Sequence, residues 1–102
     1  MEISFEANAI QELFNKNNLE YNEEKISKRI GKLILNLFLY IGKIKGILYK
    51  KNCLFINFET QKPIGVECEN FANALCRIIL LIWDDLYNSE KEEIKKILEE
   101  RE

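Results

Sequence analysis

Residues 44–58 constrain the fold most, because they have the pattern of two short strands that are apolar on both faces. The runs 44–50 and 53–58 flank Lys51-Asn52, and asparagine tolerates the positive φ that a tight hairpin turn requires. Side chains alternate between the two faces of a strand. One face carries Ile47, Tyr49, Leu54, Ile56 and Phe58, and the other carries Leu48, Cys53 and Phe55. A hairpin that is apolar on both faces must be covered on both sides.

A long helix is predicted on each side of this hairpin. Residues 23–41 place apolar side chains on one helical stripe, and from Leu33 onward the segment is apolar all round. A short strand over 33–41 is the alternative, since short apolar runs are ambiguous. Residues 68–88 carry a second stripe that widens beyond half of the helix circumference. A helix that is apolar on every side is covered on every side.

Three shorter elements complete the predicted fold. Apolar spacing indicates a helix near residues 9–14, and the extended stretch 63–67 offers a possible third strand. Ser89 and Glu92 fit a capping box, which predicts a surface helix over 90–101. We therefore predict an α+β fold in the order α-α-β-β-α-α, with two long apolar helices packed around a β-hairpin. At 102 residues the chain is expected to be a single domain, 1–102.

Charge is distributed unevenly along the chain. Residues 1–24 hold six glutamates and one lysine, and residues 59–102 hold eleven acidic and six basic residues. The segment between them holds eight basic residues and no acidic one, which makes it a candidate nucleic-acid-binding face. The acidic flanks are an alternative partner for this segment. Its basic residues are Lys25, Lys28, Arg29, Lys32, Lys43, Lys45, Lys50 and Lys51.

Catalysis is hard to build from these residues. The chain has no histidine, the usual base near neutral pH. It also lacks a glycine-rich phosphate loop and the common hydrolase motifs. Asp84 and Asp85 are adjacent, so on a helix their carboxylates diverge by about 100°. We therefore expect no enzyme activity and no metal or cofactor.

The cysteines and the longest apolar run indicate where the protein works. Three cysteines are an odd number, which rules out a complete disulfide framework within one chain. The longest apolar run, 33–41, is nine residues and contains Asn36, whereas a membrane span needs about 20. With no secretory signal in the sequence, we expect a cytoplasmic protein without a membrane partner.

Two functions remain after these exclusions. The chain has more apolar side chains than the core of a small domain can bury. This favours a homo-oligomer, most simply a dimer, that also binds another protein. An adaptor, a subunit or an inhibitor from a mobile element would fit this reading. Nucleic-acid binding through the basic segment is the alternative. The candidate self-association residues are Leu35, Phe38, Leu39, Leu48, Phe55, Leu80, Leu81 and Trp83.

Overall fold

The protein has helices before and after an antiparallel sheet. A computed structural model describes residues 9–36, 44–59 and 61–100. The elements are α1 (Ala9–Lys16), α2 (Glu23–Asn36), β1 (Ile44–Lys50), β2 (Cys53–Phe58), β3 (Ile64–Glu67), α3 (Phe71–Leu81), a short 3₁₀ helix (Trp83–Asp85) and α4 (Asn88–Glu99). The predicted α+β class and order of elements are confirmed. Residues 33–36 are helical rather than extended, and the predicted extension of α2 to residue 41 lies outside the described residues.

The predicted hairpin is confirmed with the predicted strand limits. Strand β2 pairs with β1 on one side and with β3 on the other, both antiparallel. Lys51 and Asn52 have φ values of 52° and 61°, the left-handed pair that a two-residue hairpin turn demands. The Asn52 carbonyl accepts a hydrogen bond from the Cys68 amide at 2.7 Å. This bond ties the turn to the segment that leads into α3.

One face of the sheet, called here the inner face, packs against α3. Leu54 and Ile56 point to this face and are fully buried. Tyr49 also lies there, with its ring edge-on to Phe71 at 5.2 Å between centroids. Its hydroxyl donates to the Cys68 carbonyl at 3.0 Å. The inner face therefore belongs to the core of a single chain.

The helices are joined by a few specific contacts as well as by apolar packing. Asn70 caps α3 by accepting from the Asn73 amide at 3.2 Å. The buried Asn73 side chain accepts in turn from the Ile10 amide of α1 at 3.3 Å. Helix α2 packs chiefly against α4. The sheet thus packs against α3, α1 packs against α3, and α4 packs against α2.

The prediction of one continuous helix over residues 68–88 is wrong. Helix α3 ends at Leu81, Ile82 leaves helical geometry with ψ of 3°, and the chain then forms the 3₁₀ turn. Leu86 is extended, and α4 begins at Asn88. The break was hidden because Ile82, Trp83 and Leu86 are all buried, so the apolar pattern continues through it.

The predicted capping box of the last helix is also wrong in its residues. The Glu90 carboxylate, and not that of Glu92, accepts a hydrogen bond from the Tyr87 backbone N–H at 2.7 Å. Glu90 is buried, whereas Ser89 and Glu92 are exposed. Helix α4 therefore starts one residue before Ser89.

We expect Glu90→Ala to lower the free energy of unfolding by about 1 kcal/mol, because it removes the bond that closes the start of α4. Glu92→Ala is the matched control, since it removes the same side chain from an exposed position. Urea denaturation of both variants measures the difference. Equal losses for the two variants would contradict this assignment.

Candidate interaction surfaces

The second face of the sheet is open and partly apolar. We call it the outer face, and it is built from three parallel rows of side chains that cross the strands. The middle row consists of Leu48, Phe55 and Gly65, which are paired across β1, β2 and β3. Leu48 is 57% exposed and Phe55 is 42% exposed. The prediction that the hairpin is apolar on both faces is confirmed, and the outer face is left without a cover among the described residues.

Phe55 and Gly65 are matched in shape. A Cβ atom placed on Gly65 would lie 2.8 Å from two atoms of the Phe55 ring. The ring therefore lies across the glycine, and β3 contributes no side chain of its own to the middle row. A glycine that an aromatic ring covers in this way is a known device in sheets. The outer face is consequently filled by Phe55 on its β3 side and by Leu48 on its β1 side.

The next row of the outer face carries opposite charges at its two edges. Lys50 on β1 pairs with Cys53 on β2, and Cys53 pairs with Glu67 on β3. Lys50 and Glu67 are exposed, and Cys53 is half-buried between them. The row therefore has a cation at one edge, a thiol at the centre and an anion at the other edge. Gly65 and Glu67 were not among the residues that the sequence suggested for a site.

The other candidate self-association residues do not join the outer face. Leu81, 56% exposed, stands at the end of α3, which covers the opposite side of the sheet. Leu35 is exposed on α2, and Leu80 is half-buried. Trp83 is only 8% exposed and belongs to the core, with the Lys16 and Lys91 ammonium groups over its ring. Phe38 and Leu39 lie outside the described residues.

The basic residues of the central segment are divided between different roles. Arg29 is buried and donates to the Leu98 carbonyl of α4 at 3.0 Å. Lys32 forms an ion pair with Glu100. The hydrogen bond that the Lys32 ammonium donates to the Glu100 carboxylate lowers the pKa of this carboxyl below its ordinary value. Two of the eight residues therefore hold α2 to the end of α4.

The remaining described basic residues lie on two elements, the hairpin and α2. Lys45, Lys50 and Lys51 are exposed on the hairpin. On α2, Lys28 is exposed and Lys25 is half-buried. Lys43 lies outside the described residues. The structure thus retains a small basic area on the hairpin, rather than a face built from the whole segment.

A groove of about 480 Å³ lies between α2 and α4. Leu35 and Ile97 supply apolar surface, and Asn36 also lines it. Asn36 is 2% exposed, and neither polar atom of its side chain has a hydrogen-bond partner among the described residues. A buried amide without partners is unfavourable by about 1–3 kcal/mol. The apolar surface of Leu35 and Ile97 makes the groove a second candidate surface for a partner.

Two of the three thiols, Cys68 and Cys76, are buried. Burial raises the pKa of the Cys76 thiol to about 12, so this group is neutral at physiological pH and a poor nucleophile. Cys68 is buried as well, which leaves Cys53 as the most accessible of the three. Within residues 9–36, 44–59 and 61–100, no three metal-ligating side chains are grouped.

No helix within the same ranges combines the length and apolar character that crossing a membrane requires. No family model, no curated protein and no solved structure matches the chain.

Proposed function

We propose that this chain is a small non-enzymatic protein-interaction module that acts as a homodimer joined through the outer face of its sheet. The observation that carries the proposal is the exposure of Leu48 and Phe55 on one face, while α3 already fills the other. Fully burying a side chain of this kind contributes roughly 1.5–3 kcal/mol. Two such side chains in adjacent positions therefore favour a covered face.

A second copy suits this face because a twofold interface must be complementary to itself. The outer face carries one exposed lysine and one exposed glutamate in the same row, Lys50 and Glu67. Each copy can thus supply both partners of an ion pair. A face with charges of one sign only would repel its own copy.

The size of the face predicts a weak dimer. Three strands about 4.8 Å apart, with β2 about 20 Å long, give a face well below the roughly 800 Å² per partner of a standard interface. We therefore expect a dissociation constant for the dimer in the micromolar range or weaker. The α2–α4 groove is not part of the outer face, so each copy of the dimer retains it for another protein.

Nucleic-acid binding is the less favoured function. Arg29 and Lys32 already bond to α4, so they are poorly placed to neutralise phosphates. Among the described basic residues of the segment, the exposed lysines of the hairpin adjoin the proposed interface. A protein of net charge −2 gains little from nonspecific attraction to DNA.

Leu48→Lys tests the proposal, and Leu81→Lys is its matched control because the two leucines are almost equally exposed. We expect the wild-type protein to shift from 12.1 kDa towards twice that mass as its concentration rises. Leu48→Lys should remain a monomer, since it places a charge in the middle row, and Leu81→Lys should behave as the wild type. Light scattering after gel filtration measures all three. A Leu48→Lys variant that associates as well as the Leu81→Lys control would contradict the proposal.

A further inference from the structure

We infer that the two copies are related by a twofold axis that runs parallel to the strands and passes over β2. This inference rests on the proposed homodimer and specifies its arrangement. A rotation about such an axis keeps every row at its own height and exchanges the two edges of the sheet. Strand β1 of one copy then faces β3 of the second copy, and the two β2 strands face each other. Sheets stacked in this way keep their strands within about 30° of one another, a common packing angle.

The row that contains Lys50, Cys53 and Glu67, called here the charged row, favours this axis. With the axis parallel to the strands, Lys50 of each copy faces Glu67 of the second copy, which gives two equivalent ion pairs. Gly46 and Asn57 form the third row of the outer face, on the other side of the middle row. An axis perpendicular to the strands would reverse the order of the rows and place Lys50 over Gly46 of the second copy. That arrangement leaves both charges without a partner across the interface. Complementary charges fix the orientation of an interface more than they add to its affinity.

The apolar row fits the same arrangement. Leu48 of one copy stands above the β3 side of the middle row of the second copy. The Cδ1–Cε1 edge of the Phe55 ring occupies the space above Gly65 there, so Leu48 meets an aromatic ring rather than a side chain from β3. Because Gly65 has no side chain, β3 adds no atoms above the sheet at this position, and the two faces can approach each other more closely. The middle row is thus complementary to itself under the rotation that pairs the charges.

Cross-linking through Cys53 tests the position of the axis directly. Cys53 occupies the centre of the charged row on β2, so the two Cys53 thiols come together near the axis. Stacked sheets lie about 10 Å apart, and side chains that point at each other across this gap are within reach of a short bismaleimide. Cys68 and Cys76 are buried and serve as internal controls for specificity.

The first experiment treats the native protein, at a concentration where it is dimeric, with a short bismaleimide. We expect a covalent dimer on a denaturing gel. It should be lost in Cys53→Ser and kept in Cys68→Ser. If sedimentation shows a dimer but Cys53 does not cross-link, the inferred axis is wrong and the proposed homodimer stands. If no dimer forms at all, both fail.

The second experiment exchanges the charges. We expect Lys50→Glu and Glu67→Lys each to raise the dimer dissociation constant roughly 10-fold, because each creates two like-charge contacts. The double variant should return to within about 3-fold of the wild type, since the pairs are restored with reversed sign. Lys51→Glu, an equal charge change in the turn, is the matched control and should have a smaller effect. A double variant that dimerises more weakly than either single variant would overturn the arrangement.

Discussion

Leu54→Ala is expected to lower the free energy of unfolding by about 2–5 kcal/mol, whereas Phe55→Ala should lower it by no more than about 1 kcal/mol. The two residues are neighbours on β2, but they point to opposite faces. Leu54 is fully buried against the core, and Phe55 is exposed on the outer face. Domains of this size are stable by roughly 5–15 kcal/mol, so the first substitution removes a large share of the total.

Urea denaturation of dilute protein, where the dimer is dissociated, measures both variants. Phe55→Ala should in contrast weaken self-association at high concentration, where Leu54→Ala variants that remain folded should still dimerise. Similar losses of stability for the two substitutions would mean that Phe55 supports the fold of one chain. The Phe55 side chain would then not be available for contact with a second copy.

Arg29→Ala should lower the free energy of unfolding by roughly 2–4 kcal/mol, because it removes a charged hydrogen bond and leaves a cavity between α2 and α4. Arg29 is buried and bonds to the Leu98 carbonyl in the last turn of α4, where a positive charge also interacts favourably with the helix dipole. Arg29→Met keeps most of the side-chain volume without burying a charge, so we expect its loss to be smaller.

Thermal or urea unfolding checks this second expectation, with Lys45→Ala as the control. Lys45 is an exposed basic residue of the same segment, and its removal should change stability by less than about 0.5 kcal/mol. If Arg29→Ala unfolds like the wild type, Arg29 is not a structural residue. It would then return to the set of basic residues that are available to phosphate.

The hairpin could be predicted because its signals are local. Alternating side chains on β1 and β2 assign each residue to a face without any knowledge of distant contacts. Lys51-Asn52 then fixes the turn and with it the register. These signals placed Leu48 and Phe55 together on one face, which the structure shows to be open. This part of the candidate site was therefore predictable from the sequence.

The rest of the site depends on contacts between distant segments. Gly65 and Glu67 join the outer face only through the register of β3 on β2, which no local pattern specifies. The sequence places Arg29 in the candidate nucleic-acid-binding face, because its partner, Leu98, lies 69 positions away on α4. Trp83 was assigned to a surface because the break between α3 and α4 was not visible in an unbroken apolar pattern.

Sedimentation equilibrium of the wild-type protein over about 5–500 µM tests the central claim most directly, since this range spans weak dimerisation. Coverage of the open sheet by a second copy predicts an average mass that rises from 12.1 kDa towards double that value. A mass that stays at the single-chain value across the whole range would contradict it.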